Sequence, residues 1–192
     1  MKVLGVAFSC RKSGNGMKIL RYLMEGFNKK GYETEIINGY DYKITPCSGC
    51  DIECFKGKKC PVNDDVYMIY DKCFESDIVI FSIPDYSGHL SSLYFAFTER
   101  AQGKIDNYDK YIEKYLKKIN FIVVGNLSAG GDMALHQALY DFSNRDFFPE
   151  TLLFSSREYG LSSIAGNLIE NDVVKRRLDD YLERVDRKYN SK

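Results

Sequence analysis

The chain alternates short, continuously apolar stretches with segments whose apolar residues return every three or four positions. Residues 3–8, Val-Leu-Gly-Val-Ala-Phe, are apolar throughout and read as a buried strand. Met17, Leu20, Leu23, Met24 and Phe27 then fall on one side of a helix. Behind the helix-stopping Gly31 a second strand is predicted over 31–38, followed by a long loop over 39–63. Asp64 and Asp65 are placed to cap a short helix reaching about Cys73. A third strand is expected at 78–81, a helix over 89–100, a helix over 108–118 and a fourth strand at 121–124. Asp132 opens a helix to about Asn144, residues 152–154 give a fifth strand, and Val174, Leu178, Tyr181, Val185 and Tyr189 align on a last helix over 170–189.

Strands alternating with helices, the strands apolar on both sides, predict an α/β fold: a parallel sheet covered on both faces. Ligands of such sheets sit at the carboxyl ends of the strands, near a topological switch. The loops after the first, third and fourth strands are therefore the expected site. With 192 residues, no repeat and no linker, residues 1–192 read as one domain. Net charge is zero, which argues against a nucleic-acid binder. No run is long enough to span a membrane and no leader pattern is seen, so a cytoplasmic setting is expected.

The first loop, Ser9-Cys10-Arg11-Lys12-Ser13-Gly14-Asn15-Gly16, joins a strand to a helix. That geometry aims free backbone N–H groups at an anion. The N–H groups of residues 11–17, the hydroxyls of Ser9 and Ser13, the Asn15 amide and the Arg11 guanidinium can form a phosphate cradle. It is neither G-x-x-x-x-G-K-[ST] nor G-x-G-x-x-G, so a P-loop hydrolase and a dinucleotide fingerprint are unsupported. Only two histidines are present, His89 and His136, with no H-E-x-x-H or G-x-S-x-G. His136 lies in a helical pattern and reads as structural. His89 reads equally as a donor to a ligand or as a surface residue at a helix start.

Cys47, Cys50, Cys54 and Cys60 fall within fourteen residues, spaced C-x2-C-x3-C-x5-C. Thiolates gathered this closely suit an iron–sulfur cluster or zinc, and free or redox-active thiols are the other reading. Lys56, Lys58 and Lys59 can offset their charge. Cys73 reads as core.

Three stretches in order resemble the flavodoxin-like superfamily, and more narrowly its NADPH-dependent FMN reductase and iron–sulfur flavoprotein branch. They are Ser9-x-Arg11-Lys12-x-Gly14-Asn15; Pro84-Asp85-Tyr86-Ser87-Gly88-His89-Leu90-Ser91; and Ser128-Ala129-Gly130-Gly131. The second is similar to the family's G-S-P-x-Y-[FW]-G-x-[VM]-[ST]. Ser82, Ile83 and Ser87 depart from that pattern, and Met17 stands where the phosphate loop commonly has threonine.

The resemblance implies a three-layer flavodoxin-like sandwich with a five-stranded parallel sheet and a cysteine-rich loop after the second strand. It implies FMN held by its phosphate at Ser9 to Met17, and by its ring at Pro84, Asp85, Tyr86, Ser87, Gly88 and His89 and at Ser128, Ala129, Gly130 and Gly131. It also implies a [4Fe–4S] cluster on the four cysteines, fed by a ferredoxin-like donor. The family's cluster pattern has two residues between the second and third cysteines, where this chain has Asp51-Ile52-Glu53. The alternatives are a cluster-free NAD(P)H-dependent FMN or quinone reductase, and a non-catalytic carrier or zinc-stapled interaction protein. A homodimer or homotetramer is expected from the same resemblance.

Overall fold

A computed structural model describes residues 1–126 and 131–190. Strand β1 (Lys2–Ala7) leads into α1 (Asn15–Lys29), and β2 (Glu33–Asn38) into a long loop with two short 3-10 turns. Then come α2 (Val66–Glu75), β3 (Ile78–Tyr86), β4 (His89–Leu90), α3 (Ser92–Thr98), α4 (Tyr108–Lys114), β5 (Ile119–Gly125), α5 (Gly131–Leu139), β6 (Thr151–Ser155) and α6 (Asp172–Asn190).

The parallel sheet has the order β2-β1-β3-β5-β6, with β4 antiparallel against the end of β3. The chain leaves β1 towards β2 on one side, then crosses to β3 on the other. The crevice between the carboxyl ends of β1 and β3 is therefore the switch point. In register Ala7 faces Ser82, so the loop after β1 opens beside the last residues of β3.

Side chains alternate along each strand and feed two cores. Val3, Ala7, Ile78, Ile80, Ile122 and Val124 pack under α1 and α6. Leu4, Val6, Phe8, Val79, Phe81, Phe121 and Val123 pack under α2, α3 and α5. All five apolar residues expected on the inner side of α1 are buried. Phe8, fully buried, meets the rings of Phe81, Phe97 and Tyr94 at 5.1, 5.2 and 5.4 Å, and Tyr70 stacks on Phe97 at 4.1 Å. Aromatic pairs of this kind each add about 0.5–1.5 kcal/mol beyond the area they bury.

The expected α/β sandwich is present, with the cysteine loop after β2 and a sixth, antiparallel strand in addition. The helix expected from His89 starts at Ser92 instead. Ser87 and Gly88 take φ of 56° and 87°, the left-handed pair of a tight hairpin, and so return His89 and Leu90 against Tyr86 and Asp85. Ser91 then caps α3, its Oγ accepting from Tyr94 N at 3.4 Å. No described helix is long and apolar enough to cross a membrane.

Candidate functional site

The loops after β1, β3 and β5 surround a cavity of about 350 Å³ at the switch point. Of the residues expected at a flavin, Ser9, Arg11, Gly14, Asn15, Gly16, Pro84, Asp85, Tyr86 and Ser87 line it. Ser13, Met17, Gly88, His89 and Gly131 do not: Met17 is in the α1 core and Gly131 in α5. Ser128, Ala129 and Gly130 lie outside the described residues. Ser82, Val124, Asn126, Ser163 and Ile164 also line the cavity and were not nominated from the sequence.

Its floor is built for an anion or a polar chain. Gly14 precedes α1 and offers no side-chain cap, and the first turn of α1 carries no acid. Among the described residues no side chain caps the leading N–H groups of that helix, which stand in the positive field of the helix N-terminus. Ser82 is 1% exposed and its Oγ has no hydrogen-bond partner among the described residues. A buried hydroxyl left this way is costly unless a ligand satisfies it. A Cβ on Gly16 would stand 2.5 Å from that Oγ, so a larger residue here would force the Ser82 hydroxyl to shift. The orphaned hydroxyl, the uncapped helix and the cavity's size fit the phosphate and ribityl chain of FMN.

The rim is held by side-chain clamps. Asp85 Oδ1 accepts from Gly88 N at 2.7 Å. Gln137 Nε2 donates to Gly88 O at 2.7 Å, and its Oε1 accepts from Leu90 N at 3.3 Å. The hairpin is thereby fixed to α5. Burial, with Cys10 close by, raises the Tyr86 phenol above its ordinary value against the opposing charge of Arg11. Arg11 lines the cavity, but its Nη1 and Nη2 donate to the carbonyls of Ser163 and Ile164 at 2.8 and 2.7 Å.

The cysteine loop does not assemble the ligand set expected of it. No three His, Cys, Asp or Glu side chains converge on a metal position among the described residues, and all six cysteines are free thiols. The physical reasons lie in the loop. Asp51 and Ile52, inside the x3 spacing, both take left-handed φ of 48° and 52°, and Glu53–Lys56 then forms a 3-10 turn. Cys60 is taken up elsewhere. Burial would raise its thiol, but hydrogen bonds from Tyr67 and Val62 N and the charge of Arg100 hold it below its ordinary value. Burial and the charges of Cys50 and Glu99 raise Cys47 instead. Lys56 and Lys58 pair with Asp51 and Glu53 at 2.6 and 2.9 Å rather than facing thiols. As arranged, these residues do not fit a [4Fe–4S] cluster or zinc. Ile52 is 60% exposed and β-branched at positive φ, so Ile52→Gly is expected to stabilise by about 1 kcal/mol, read as a higher denaturation midpoint at unchanged slope.

The side chain of Asp65 makes no capping bond to α2, contrary to expectation, and of the two acids only Asp64 reaches the helix start. Asp65 Oδ2 accepts from Lys43 N at 2.7 Å, Asp64 Oδ2 from Thr45 N at 2.9 Å, and Asp64 Oδ1 from Val66 N at 3.3 Å. Arg100, 2% exposed, donates from Nη1 to Asp64 Oδ2 and to Thr45 O, each at 3.0 Å.

A sheet ordered in this way, with a phosphate-type loop at its switch point, defines a flavodoxin-like protein. The family model for NADPH-dependent FMN reductase matches residues 1–150, and the chain belongs to that family. It is 38% identical over 92 residues to an iron–sulfur flavoprotein of Methanocaldococcus jannaschii, covering 48% of this chain and 47% of that protein. An iron–sulfur flavoprotein of Archaeoglobus fulgidus is 34% identical over 109 residues, covering 56% and 53%. These matches span about half the length of each relative. Among solved structures RosB, with 8-demethyl-8-formylriboflavin-5'-phosphate bound, superposes with a TM-score of 0.65 at 16% identity, covering 96% of this chain and 79% of that one.

Proposed function

We propose that this protein is an FMN-dependent oxidoreductase that takes electrons from a reduced nicotinamide and passes them to a small acceptor such as a quinone or free flavin. The observation that carries the reading is the buried, partnerless hydroxyl of Ser82 in the cavity beside the uncapped start of α1. FMN held there would supply hydride acceptance from the nicotinamide and onward electron transfer. Ser9, Ser82 and the backbone N–H groups of Asn15 and Gly16 would hold the phosphate end, and residues 84–87 would position the ring. The family match and the flavin phosphate in RosB support this. The reading takes residues 1–192 as one FMN-binding domain working in the cytoplasm as a homo-oligomer, without nucleic acid or membrane.

Ser82→Ala separates a ligand role from a structural one. The Oγ makes no bond among the described residues, so folding stability should hold or rise. FMN affinity, measured by quenching of free-flavin fluorescence, should fall about tenfold, as for a lost hydrogen bond to a charged group. Wild-type protein that neither carries nor binds FMN would overturn the proposal. With FMN bound, bleaching of its visible band by NADPH or NADH under anoxia identifies the donor.

The names of the curated relatives support a second reading, in which the cysteine loop rearranges to hold an iron–sulfur cluster. Cys60 would first have to leave Tyr67 and Arg100. Iron and sulfide content of anaerobically prepared protein decides it: about four of each per chain supports the cluster, and neither leaves the thiols free.

A further inference from the structure

Residues 161–168 lie beyond the stretch that the family model matches, yet they form a wall of the cavity through Ser163 and Ile164. The segment is irregular, and it is held by side chains of the site itself. Arg11 spends both terminal nitrogens on the carbonyls of Ser163 and Ile164, at 2.8 and 2.7 Å. Lys18 Nζ donates to Gly166 O at 2.6 Å, and Asn15 Oδ1 accepts from Leu168 N at 3.0 Å. From the β5 side, Asn126 Oδ1 accepts from Ser163 N at 3.1 Å. Four polar side chains of the phosphate-loop and β5 ends are thus committed to the backbone of one short segment.

What this wall presents at the mouth is apolar. Ile164 is 80% exposed and lines the cavity, so its aliphatic surface is open to whatever enters there. Tyr86, 50% exposed, lines the same cavity from the hairpin. Among the described lining residues Arg11 is the one cation, with one N–H of each terminal nitrogen donated to a wall carbonyl, and Asp85 is the one carboxylate, so the formal charges of the lining balance. A mouth with one aliphatic and one aromatic side chain, and one cation balanced by one carboxylate, suits a neutral, planar acceptor better than an anion.

We propose that residues 161–168 are the acceptor-selecting wall of the site, with Arg11 the positioning residue that fixes the wall and Ile164 the side chain that meets a neutral planar acceptor. This rests on the FMN reading above and adds the class of acceptor to it. Arg11 accordingly serves the segment through one N–H of each terminal nitrogen, and its loss is felt at the mouth.

The test uses FMN-loaded protein reduced with one equivalent of dithionite under argon, then mixed with menadione or with ferricyanide. The readout is the ratio of the two second-order reoxidation rates, which needs no knowledge of the natural donor. Ile164→Gln keeps the volume and removes the apolar surface, and should lower the menadione-to-ferricyanide ratio about tenfold. Ile164→Val should keep it within about twofold. Arg11→Met should speed amide hydrogen exchange across 161–168 about tenfold, with Arg11→Lys between it and wild type, because a lysine cannot reproduce the two-pronged donation. A ratio unchanged in Ile164→Gln, or exchange unchanged in Arg11→Met, overturns the wall. Protein that takes up no FMN overturns both this and the oxidoreductase reading; protein that takes up FMN and shows an unchanged ratio overturns this one alone.

Discussion

Replacing Asp64 with asparagine is expected to lower the unfolding free energy by about 3–5 kcal/mol. The side chains of Asp64 and Arg100 are 0% and 1% exposed, so the substitution strands a guanidinium in the interior. It also weakens the join between the cysteine loop and the rest of the molecule, since Asp64 accepts from Thr45 N while Arg100 donates to Thr45 O. Arg100→Met should cost a similar amount by stranding the carboxylate. Arg100→Lys should recover only part, having charge without the fork. The double variant Asp64→Leu with Arg100→Met should regain most of the loss, because neither charge is then left alone.

The pH dependence has a definite sign. Burial pushes the Asp64 carboxyl up, but hydrogen bonds from Arg100 and from the Thr45 and Val66 N–H groups more than reverse this, so it sits below its ordinary value of 3.8. A depressed carboxylate contributes stability that is complete above about pH 3.8 and is lost as pH falls through the lower folded value. Urea denaturation of wild type should show this acid limb, and Asp64→Asn should lack Asp64's share of it. A loss under about 1 kcal/mol in the single variants would show that the pair is not the clamp described.

The second large effect is expected from Gly125→Ala, at the carboxyl end of β5. The new Cβ would stand 2.6 Å from Asp85 Oδ2, 3.2 Å from its Cβ and 3.3 Å from its Cγ. Asp85 cannot swing away freely, because its Oδ1 accepts from Gly88 N at 2.7 Å and so closes the hairpin turn. Either β3 and β5 part slightly or the turn opens. We expect a stability loss of about 1–3 kcal/mol. FMN affinity should fall at least about tenfold, since each 1.4 kcal/mol of lost contact is a factor of ten. Gly125→Ala combined with Asp85→Ala removes the clash and should restore much of the stability. Thermal melts with and without FMN measure both effects. Full FMN affinity in Gly125→Ala would mean that the Asp85 hairpin does not position the ring.

The sheet was legible because its strands carry their own signature. Residues 3–8, 78–81 and 121–124 are apolar on both faces, and a strand of that kind belongs between two helical layers. The start of α1 was equally plain, since an apolar run broken by small residues and glycine has few other uses. His89 was misplaced because Leu90, Leu93, Tyr94 and Phe97 carry a helical period through it. The competing signal, a Ser-Gly turn pair at 87–88, was present and stronger.

Ser82 stood out as a departure from the family pattern, but its lack of a partner depends on α1 lying over it. The 161–168 wall and the Arg100–Asp64 pair were not legible. Each joins residues far apart in the chain, and neither a serine-rich segment nor an arginine at a helix end announces its partner. The cysteines show the converse: spacing gave the elements their proximity in sequence, while backbone geometry at Asp51 and Ile52 decided where the thiols went.

Short α3 connects more than its length suggests. At its front, Ser91 Oγ donates to Phe8 O at 2.7 Å, immediately before the loop that begins at Ser9. At its rear, Glu99 accepts from Cys47 N and Arg100 donates to Thr45 O. From Ser91 to Arg100 is roughly 14 Å along a helical rise. The thiol-bearing segment and the carbonyl just before the Ser9 loop are thereby tied to opposite ends of one short rigid element.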